Sequence, residues 1–504
     1  MDKLPQEIIN NIAASLPALN GQASARPALA TASRAWYHAI ERLTFRAITI
    51  TSDELDHFKT VFSSPHRRSL LKSLVLDVVL PAYSDEACAV HESADDRARN
   101  DACATSALRI LLAELSAWPK DAKLELVVNV YSPMDASHRG QEKLDKDRYD
   151  VALGARKDLF TDRYSYSYIH LSDLGDVQAH CVSGLTPPQG TTRYLDPSSL
   201  VALTAKFPQL ESVMWPYQDP GFFPPLRRLH LREFVDSITA YQVPAKARRL
   251  DVNIESTEYP HHERLPDLIE PGRPSFCEAI CDMIGRSSLR EIYYTGPIDP
   301  SFFWPDSADT ETSPRWSDVT RVNIEFDIAS LSGKWAFIGP PSHDKQNRET
   351  ETPLPYTLSG LPAPGHGTEE ESTQGIALAE ALLPPDEFEG SDFEEYNFRR
   401  VPNDDLMLPL LAAFARRLAR TPSLRTAYME TRYPMSEGVW HVTYAAPGVR
   451  TGYEKAEGVD ISESKVFIHA GDWRPGREVV ALLEGIGESL SGEKTTVKFV
   501  EWEY

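Results

Sequence analysis

The sequence predicts a mixed α/β fold, of the α+β or α/β class. A helical N-terminus is followed by irregular strand–helix units that build a curved, largely parallel sheet. Two patterns predict this fold. Within residues 1–46, apolar residues recur at the three- and four-residue spacing of amphipathic helices. From residue 68 onward, short aliphatic and β-branched runs alternate with helical segments, and such alternation favours parallel strands joined by helices.

The first helix is predicted to start at Leu4-Pro5, because proline suits a first helical turn where its missing N–H has no partner. Its apolar residues form a single stripe, which contains Ile8, Ile9, Ile12 and Leu16. A second helical segment, RPALATASRAWYHAIERLTF, repeats apolar residues at positions 36, 40 and 43. A hairpin this small cannot bury both stripes by itself. The first helix therefore needs a further surface, either in this chain or on another protein.

The opening LPQEI, the segment LATASRAWYHAIE and the closing Phe45 together resemble an F-box, a short helical module. The resemblance covers residues 3–46, and we assign 1–46 to this domain. It implies binding to the Skp-type adaptor of an SCF ubiquitin ligase, which links to a cullin and a RING subunit. The residues expected at the adaptor interface or supporting it are Leu4, Pro5, Ile8, Ile12, Leu29 and Trp36. The alternative is an ordinary helical hairpin packed on its own chain.

Residues 47–336 carry recurrent strand signals, among them SLVLDVVL, KLELVVNVY, ESVMWPY, LRRLHLREF, RRLDVNIES, LREIYYTG and VTRVNIEFDI. Their aliphatic positions are 19, 21, 39 and 33 residues apart, at Leu210, Leu229, Leu250, Leu289 and Val322. Regular leucine-rich repeats have periods of roughly 20–29 residues, so we predict degenerate leucine-rich-repeat-like units that pack on one another. Filamentous-fungal F-box proteins, which this chain resembles, carry such a region after the F-box. Residues 401–504 are predicted to continue this body, with a separate α/β domain as the alternative.

Residues 337–400 are predicted to be mostly an acidic, flexible insertion rich in proline and glycine. From Glu369 to Glu395 there are ten acidic residues and no Lys or Arg, a composition that buries too little apolar surface to order itself. Within this segment, DEFEGSDFEEYNF alternates acidic with aromatic residues. We favour a solvated loop whose aromatic residues contact the body. The alternative is a linear docking motif for a basic groove.

Charge and hydropathy exclude several classes of partner. The formal net charge of −22 argues against a general nucleic-acid binder, which needs a basic face. No run approaches the roughly 18 apolar residues of a membrane span, and no secretory signal is recognisable, so we expect a cytoplasmic or nuclear protein. The five cysteines are scattered and odd in number, and we expect them to be reduced thiols.

The sequence contains no constellation that predicts catalysis. There is no GxSxG elbow, SGEKT lacks the Gly-Lys step of a phosphate loop, and Gly485-Ile-Gly487 lacks the third glycine of a dinucleotide loop. His261, His262 and Glu263 are adjacent, so their side chains diverge and make a poor metal site. We therefore predict no catalytic residue, no metal and no cofactor.

Aromatic residues at or just beyond strand ends are the candidates for contact with a protein target, since aromatic side chains anchor many interfaces. These candidates are Trp118, Trp215, Tyr217 and Trp335. Together with the F-box resemblance, they predict a non-catalytic substrate receptor whose repeat body binds an unidentified protein target. Two alternatives stay open: an adaptor-binding scaffold without a role in degradation, and an enzyme of unrecognised fold with an N-terminal helical hairpin.

Overall fold

A computed structural model describes most of the chain, in the ranges 4–15, 25–84, 87, 90–135, 162–190, 192–221, 223–255, 265–305, 316–339, 360–382, 399–431, 440–454 and 458–500. Within these residues the helices are α1 (Gln6–Ser15), α2 (Ala25–Ala30), α3 (Arg34–Thr44), α4 (Leu55–Val61), α5 (Pro65–Leu70), α6 (Ala94–Ser116), α7 (Pro197–Thr204), α8 (Pro224–Ala240), α9 (Phe276–Arg286), α10 (Glu369–Leu382), α11 (Asp404–Leu418) and α12 (Arg477–Ser491).

The strands of the described residues are β1 (Ala47–Thr51), β2 (Ser73–Val79), β3 (Leu124–Tyr131), β4 (Val182–Thr186), β5 (Ser212–Gln218), β6 (Arg249–Glu255), β7 (Glu291–Gly296), β8 (Arg321–Phe326), β9 (Phe337–Ile338), β10 (Val401–Pro402), β11 (Thr426–Thr431), β12 (His441–Ala445), β13 (Lys465–His469) and β14 (Thr496–Phe499). Helices and strands thus follow one another along the chain, which confirms the predicted mixed α/β class.

Helices α1, α2 and α3 form the N-terminal hairpin. Ser33 caps α3, because its Oγ accepts a hydrogen bond from the Trp36 N–H and satisfies one free donor of the first turn. The hairpin has a small apolar cluster of its own, made of Ile9, Ala13, Trp36, Ala39 and Ile40. This cluster is separate from the large core of the body.

The body contains two main sheets whose strands pair largely in chain order. Strands β1 to β4 form a parallel sheet in which each strand pairs with the next. The second sheet has the order β14-β13-β12-β11-β8-β7-β6-β5. Its strands β5 to β8 and β11 are parallel, whereas β12 is antiparallel to both neighbours. The two sheets adjoin at β4 and β5, where the Glu211 N–H donates to the Ser183 carbonyl at 3.1 Å.

The C-terminal strands belong to the same sheet as the central body. β11 pairs with β8 in parallel register, so Thr426 lies beside Arg321 and Thr431 beside Phe326. β13 and β14 are also parallel. Strands β11 to β14 therefore share a hydrogen-bonded sheet with strands β5 to β8.

Side chains of the strands alternate between a covered face and a partly exposed face. In β2, Leu74, Leu76 and Val78 are fully buried, and the residues between them are partly exposed. The covered faces of the strands and the helices of the body form one large apolar core. The partly exposed side of the central strands β6, β7, β8 and β11 is called the open sheet face here, and it carries Arg249, Asp251, Asn253, Tyr293, Thr295, Arg321, Asn323, Glu325, Tyr428 and Glu430.

One of the predicted strands is wrong. The segment LRRLHLREF, with Leu229, lies within helix α8. Two prolines stand at the first positions of this helix, where proline is favoured. Leu226, Phe234 and Ile238 are buried on its inner side at multiples of four residues. The helical spacing therefore outweighed the short alternation of leucines that suggested a strand.

The predicted flexible insertion is ordered in part. Residues 360–382 contain helix α10, and Ala363 is buried in the main core. Arg97 Nη1 of α6 donates to the Gly365 carbonyl at 2.8 Å, and His366 Nε2 lies 2.8 Å from the Tyr166 carbonyl. A few apolar and backbone contacts therefore order this part despite its acidic composition. Its acidic and aromatic segment, DEFEGSDFEEYNF, lies outside the described residues.

Four cysteines are described, and all four are free thiols as predicted: Cys103, Cys181, Cys277 and Cys281. Burial raises the pKa of Cys181 to about 12, so this thiol stays protonated at neutral pH. Cys88 lies outside the described residues. A search of the described helices found none that combines the length and apolar character needed to cross a membrane.

Gly487 permits close packing of α12, which gives a first testable prediction. A Cβ at this position would lie 2.4 Å from the Glu493 carbonyl and 2.5 Å from Ser464 Oγ. We expect Gly487→Ala to lower the free energy of unfolding by about 1–3 kcal/mol, because the backbone must move to relieve the overlap. Urea unfolding followed by circular dichroism measures this.

Gly485→Ala is the matched control in the same helix. A Cβ at Gly485 meets nothing within 4 Å, so alanine is expected to leave stability unchanged or to raise it by up to about 1 kcal/mol. Equal effects of the two substitutions would contradict the packing role of Gly487.

Candidate functional site

The N-terminal domain carries an apolar stripe along α1. Ile8 and Ile12 lie one turn apart on the same side of α1, and Leu4 precedes Ile8 by the same interval, two residues before the helix begins at Gln6. They are 43%, 43% and 38% exposed, whereas Ile9 and Ala13 on the other side are buried in the hairpin cluster. Leu4, Ile8 and Ile12 are called the α1 stripe below.

The α1 stripe consists of three exposed apolar side chains, two on α1 and one just before it. Burying a fully exposed Leu or Ile side chain is worth about 1.5–3 kcal/mol, so a partner that covered the exposed two fifths of all three would gain roughly 2–4 kcal/mol before entropy costs. Single exposed apolar residues are ordinary. Three exposed apolar side chains at successive four-residue intervals are typical of a surface that contacts another protein.

The other three residues predicted for the adaptor interface lie in different environments. Pro5 is exposed, and its carbonyl accepts two N–H groups of the first turn of α1 at 3.0 and 3.2 Å. Leu29 is partly buried and packs against the hairpin cluster. Trp36 is buried at the centre of that cluster. It therefore supports the position of α1 and has little surface for contact with a partner.

A polar cluster joins the hairpin to the body. The buried Glu41 of α3 accepts hydrogen bonds at Oε1 from the Tyr37 hydroxyl and from Arg67 Nε, each at 3.3 Å. Its Oε2 faces two half-exposed imidazoles, with His66 Nε2 at 3.3 Å and His38 Nδ1 at 3.9 Å. Here His38, Glu41 and His66 are called the junction cluster. Sequence reasoning missed it, because His66 lies 25 residues away from Glu41 along the chain.

The aromatic residues predicted to contact a target lie in the core. They are between 1% and 8% exposed: Trp118, Trp215, Tyr217 and Trp335. Trp118 stacks on Phe58 and donates its indole N–H to Glu114 at 3.0 Å. The Tyr217 hydroxyl lies 3.0 Å from His230 Nδ1. This burial contradicts the prediction that they contact a target, because a strand end does not specify which face of the sheet a side chain occupies.

The open sheet face presents charged and aromatic side chains at neighbouring register positions. Arg249 lies over the Tyr293 ring, 4.0 Å from its centre, and Arg321 Nη1 is 3.3 Å from the Tyr293 hydroxyl. Further along the strands, Glu325 and Glu430 are register partners. Burial raises the pKa of Glu430, and the charge of Glu325 adds to the rise. Since like charges on adjacent strands repel, a cationic group of a partner would be favoured there.

An exposed histidine is paired with a buried carboxylate at the start of α7. His170 Nδ1 lies 3.1 Å from Asp196 Oδ2, and this hydrogen bond raises the pKa of His170. Burial would raise the pKa of Asp196, but hydrogen bonds from His170, Ser198 and Ser199 lower it. The Ser199 hydroxyl donates to Asp196, and the Asp196 side chain caps α7. The pair therefore lacks the serine-to-histidine hydrogen bond of a nucleophile and its base.

No protein-family model matches the chain, and no curated protein matches it in sequence. Residues 261–263, which were predicted to be a poor metal site, lie outside the described residues. Function therefore has to be inferred from three features: the α1 stripe, the junction cluster and the open sheet face.

Proposed function

We propose that this chain is a substrate receptor of an SCF-type ubiquitin ligase, with residues 1–46 as its F-box. The observation that carries the proposal is the exposed α1 stripe on the helix that opens with LPQEI. A hairpin that served only its own chain would bury this stripe against the body. Instead, the side of α1 that packs is the one with Ile9 and Ala13, and it packs within the hairpin. The stripe is therefore a surface for a Skp-type adaptor.

The role of the chain in this proposal is to bring a target close to the ubiquitin-loaded enzyme. The adaptor links the F-box to a cullin and a RING subunit, and the body holds the target protein. Tethering raises the effective concentration of a target lysine near the ubiquitin thioester. The chain itself contributes no bond chemistry, so the proposal needs no cofactor.

The body is proposed to be leucine-rich-repeat-like, with the target on its open sheet face. The parallel strands in chain order and the helices packed on one face support this view. The open sheet face takes the place of the buried aromatic residues as the target surface. The paired carboxylates of Glu325 and Glu430 favour a target segment that contributes Lys or Arg. The proposed compartment is the cytoplasm or nucleus, where such ligases act.

Co-expression of the full chain with a fungal Skp-type adaptor, a cullin and a RING subunit tests the proposal. We expect the chain to co-elute with all three in size-exclusion chromatography, with the adaptor required for the cullin to be retained. A chain that elutes alone in the presence of the adaptor would refute the F-box assignment.

A further comparison separates a substrate receptor from a scaffold. Proteome-wide abundance and ubiquitin-remnant profiles of a fungal host with and without the chain should show proteins that accumulate and lose ubiquitin when the chain is absent. Full assembly of the complex with no such protein would assign the chain to the scaffold class.

A further inference from the structure

The junction cluster has the residue types of a metal site. Among the described residues it is the set of three histidine, cysteine or carboxylate side chains whose ligand atoms all lie within 4.8 Å of one another. Imidazole nitrogen and carboxylate oxygen are both common zinc ligands. Two histidines and one glutamate also form the protein ligand set of one class of zinc sites that keep a fourth position for water.

The orientation of Glu41 fits this role. Its Oε1 is held by Tyr37 and Arg67, so Oε2 points between the two imidazoles. Ligand atoms about 2.0–2.2 Å from a tetrahedral zinc ion are roughly 3.3–3.5 Å apart. The His66 Nε2 to Glu41 Oε2 distance of 3.3 Å matches this separation, and the 3.9 Å from His38 Nδ1 requires a small rotation of an exposed ring. A carboxylate whose second oxygen is hydrogen-bonded is typical of ordered metal ligands.

We propose that His38, Glu41 and His66 bind one zinc ion at the junction between the hairpin and the body. The imidazole rings are half exposed, so solvent can supply the fourth ligand and zinc can enter without unfolding. The cation would replace the two weak histidine contacts of Glu41 with direct coordination. This site is independent of the proposed adaptor contact, which uses the α1 stripe.

Two nearby arginines lower the affinity that we expect for zinc. Arg67 lies beside Glu41, and Arg34 Nε is 3.4 Å from His38 Nε2. Both guanidinium groups repel a divalent cation. With three protein ligands and two neighbouring arginines, we expect affinity in the micromolar range, weaker than that of a structural site with four ligands.

Zinc at this position would fix the direction of the hairpin relative to the body. His38 and Glu41 belong to α3, whereas His66 belongs to α5. Beside this cluster, the junction contains Phe45, whose ring packs edge-on against Phe62 at 5.6 Å and lies under Arg67. A bridging ion would reduce bending about this contact. If the proposed function is correct, bound zinc would also set the position of the target relative to the adaptor.

Titration of the metal-free full chain with zinc chloride tests the site, with calorimetry and competition against a chromophoric zinc chelator as readouts. We expect His38→Ala and His66→Ala each to weaken the tightest binding event at least tenfold. His57→Ala is the matched control, because His57 is an exposed histidine on α4 outside the cluster. It should bind zinc like the parent chain. Cobalt in place of zinc should give visible absorption that is lost in His66→Ala.

Three outcomes would overturn the site: no zinc binding by the parent chain, parental affinity in His66→Ala, or equal losses in His57→Ala and His66→Ala. Circular dichroism of each variant shows that loss of binding does not come from unfolding. Adaptor binding is measured separately, so failure of the zinc site and failure of the proposed function give different results.

Discussion

Ile8→Asp in the full chain is expected to weaken binding to a Skp-type adaptor at least a hundredfold. Ile8 is the central residue of the α1 stripe and is 43% exposed. In a complex, the new carboxylate would have to lose its water against an apolar surface, which costs several kcal/mol, and about 1.4 kcal/mol corresponds to a tenfold change in affinity. Isothermal titration calorimetry with purified adaptor measures the difference.

The substitution should leave the fold intact. Ile8 lies in the first turn of α1, where an acidic residue interacts favourably with the helix dipole. Ile110→Asp is the matched control, since Ile110 is 47% exposed on α6 of the body. It should bind the adaptor with parental affinity. Parental affinity in Ile8→Asp, or an equal loss in Ile110→Asp, would show that the α1 stripe is not the adaptor interface.

Arg193→Ala is expected to lower the free energy of unfolding by about 3–5 kcal/mol, because it removes one partner of a buried ion-pair network. The guanidinium donates from Nε and Nη2 to the two carboxylate oxygens of Asp135 at 2.9 and 2.8 Å, and from Nη1 to Glu92. All three side chains are buried. Without the arginine, two carboxylates stay in the interior without their cation.

This network holds together segments that are distant along the chain. Asp135 follows β3, Glu92 precedes α6 and Arg193 precedes α7. The Tyr164 ring lies under the guanidinium at 4.6 Å, and the Tyr83 hydroxyl donates to Asp135 at 2.9 Å. Loss of Arg193 should therefore loosen all of these connections near the carboxyl end of β3.

Urea unfolding followed by circular dichroism and tryptophan fluorescence measures the effect of Arg193→Ala. Arg249→Ala serves as the control, since Arg249 is a half-exposed arginine paired with Asp251 at 2.9 Å on the open sheet face. Exposed pairs contribute about 0–1 kcal/mol, so this variant should be nearly as stable as the parent. Similar small changes in both variants would mean that the buried network does not stabilise the fold.

Local sequence patterns were sufficient for most of the secondary structure. The helical spacing of α1 and the strand patterns of β2, β3 and β6 to β8 were visible in the sequence, and the structure confirms these elements. The reason is that helix and strand periods reflect which side of each element is buried. The pattern placed Ile8, Ile9 and Ile12 in one stripe, whereas the structure buries Ile9 and leaves Ile8 and Ile12 exposed.

Short-range patterns gave wrong predictions where the type of an element or the burial of a side chain depends on residues far apart along the chain. The strand predicted at 226–234 is a helix because its buried side packs on α7 and α9. Trp118, Trp215, Tyr217 and Trp335 are buried because neighbouring elements cover them.

The junction cluster and the Arg193 network show the same limit most clearly. Glu41 meets His66 across 25 residues, and Arg193 meets Glu92 across 101 residues. A periodic pattern indicates which side of an element faces the core. It does not indicate which residues of other elements contact that side. Burial of a charge is tolerated only when chain folding brings its counter-charge within hydrogen-bonding distance, which is a property of the packed structure.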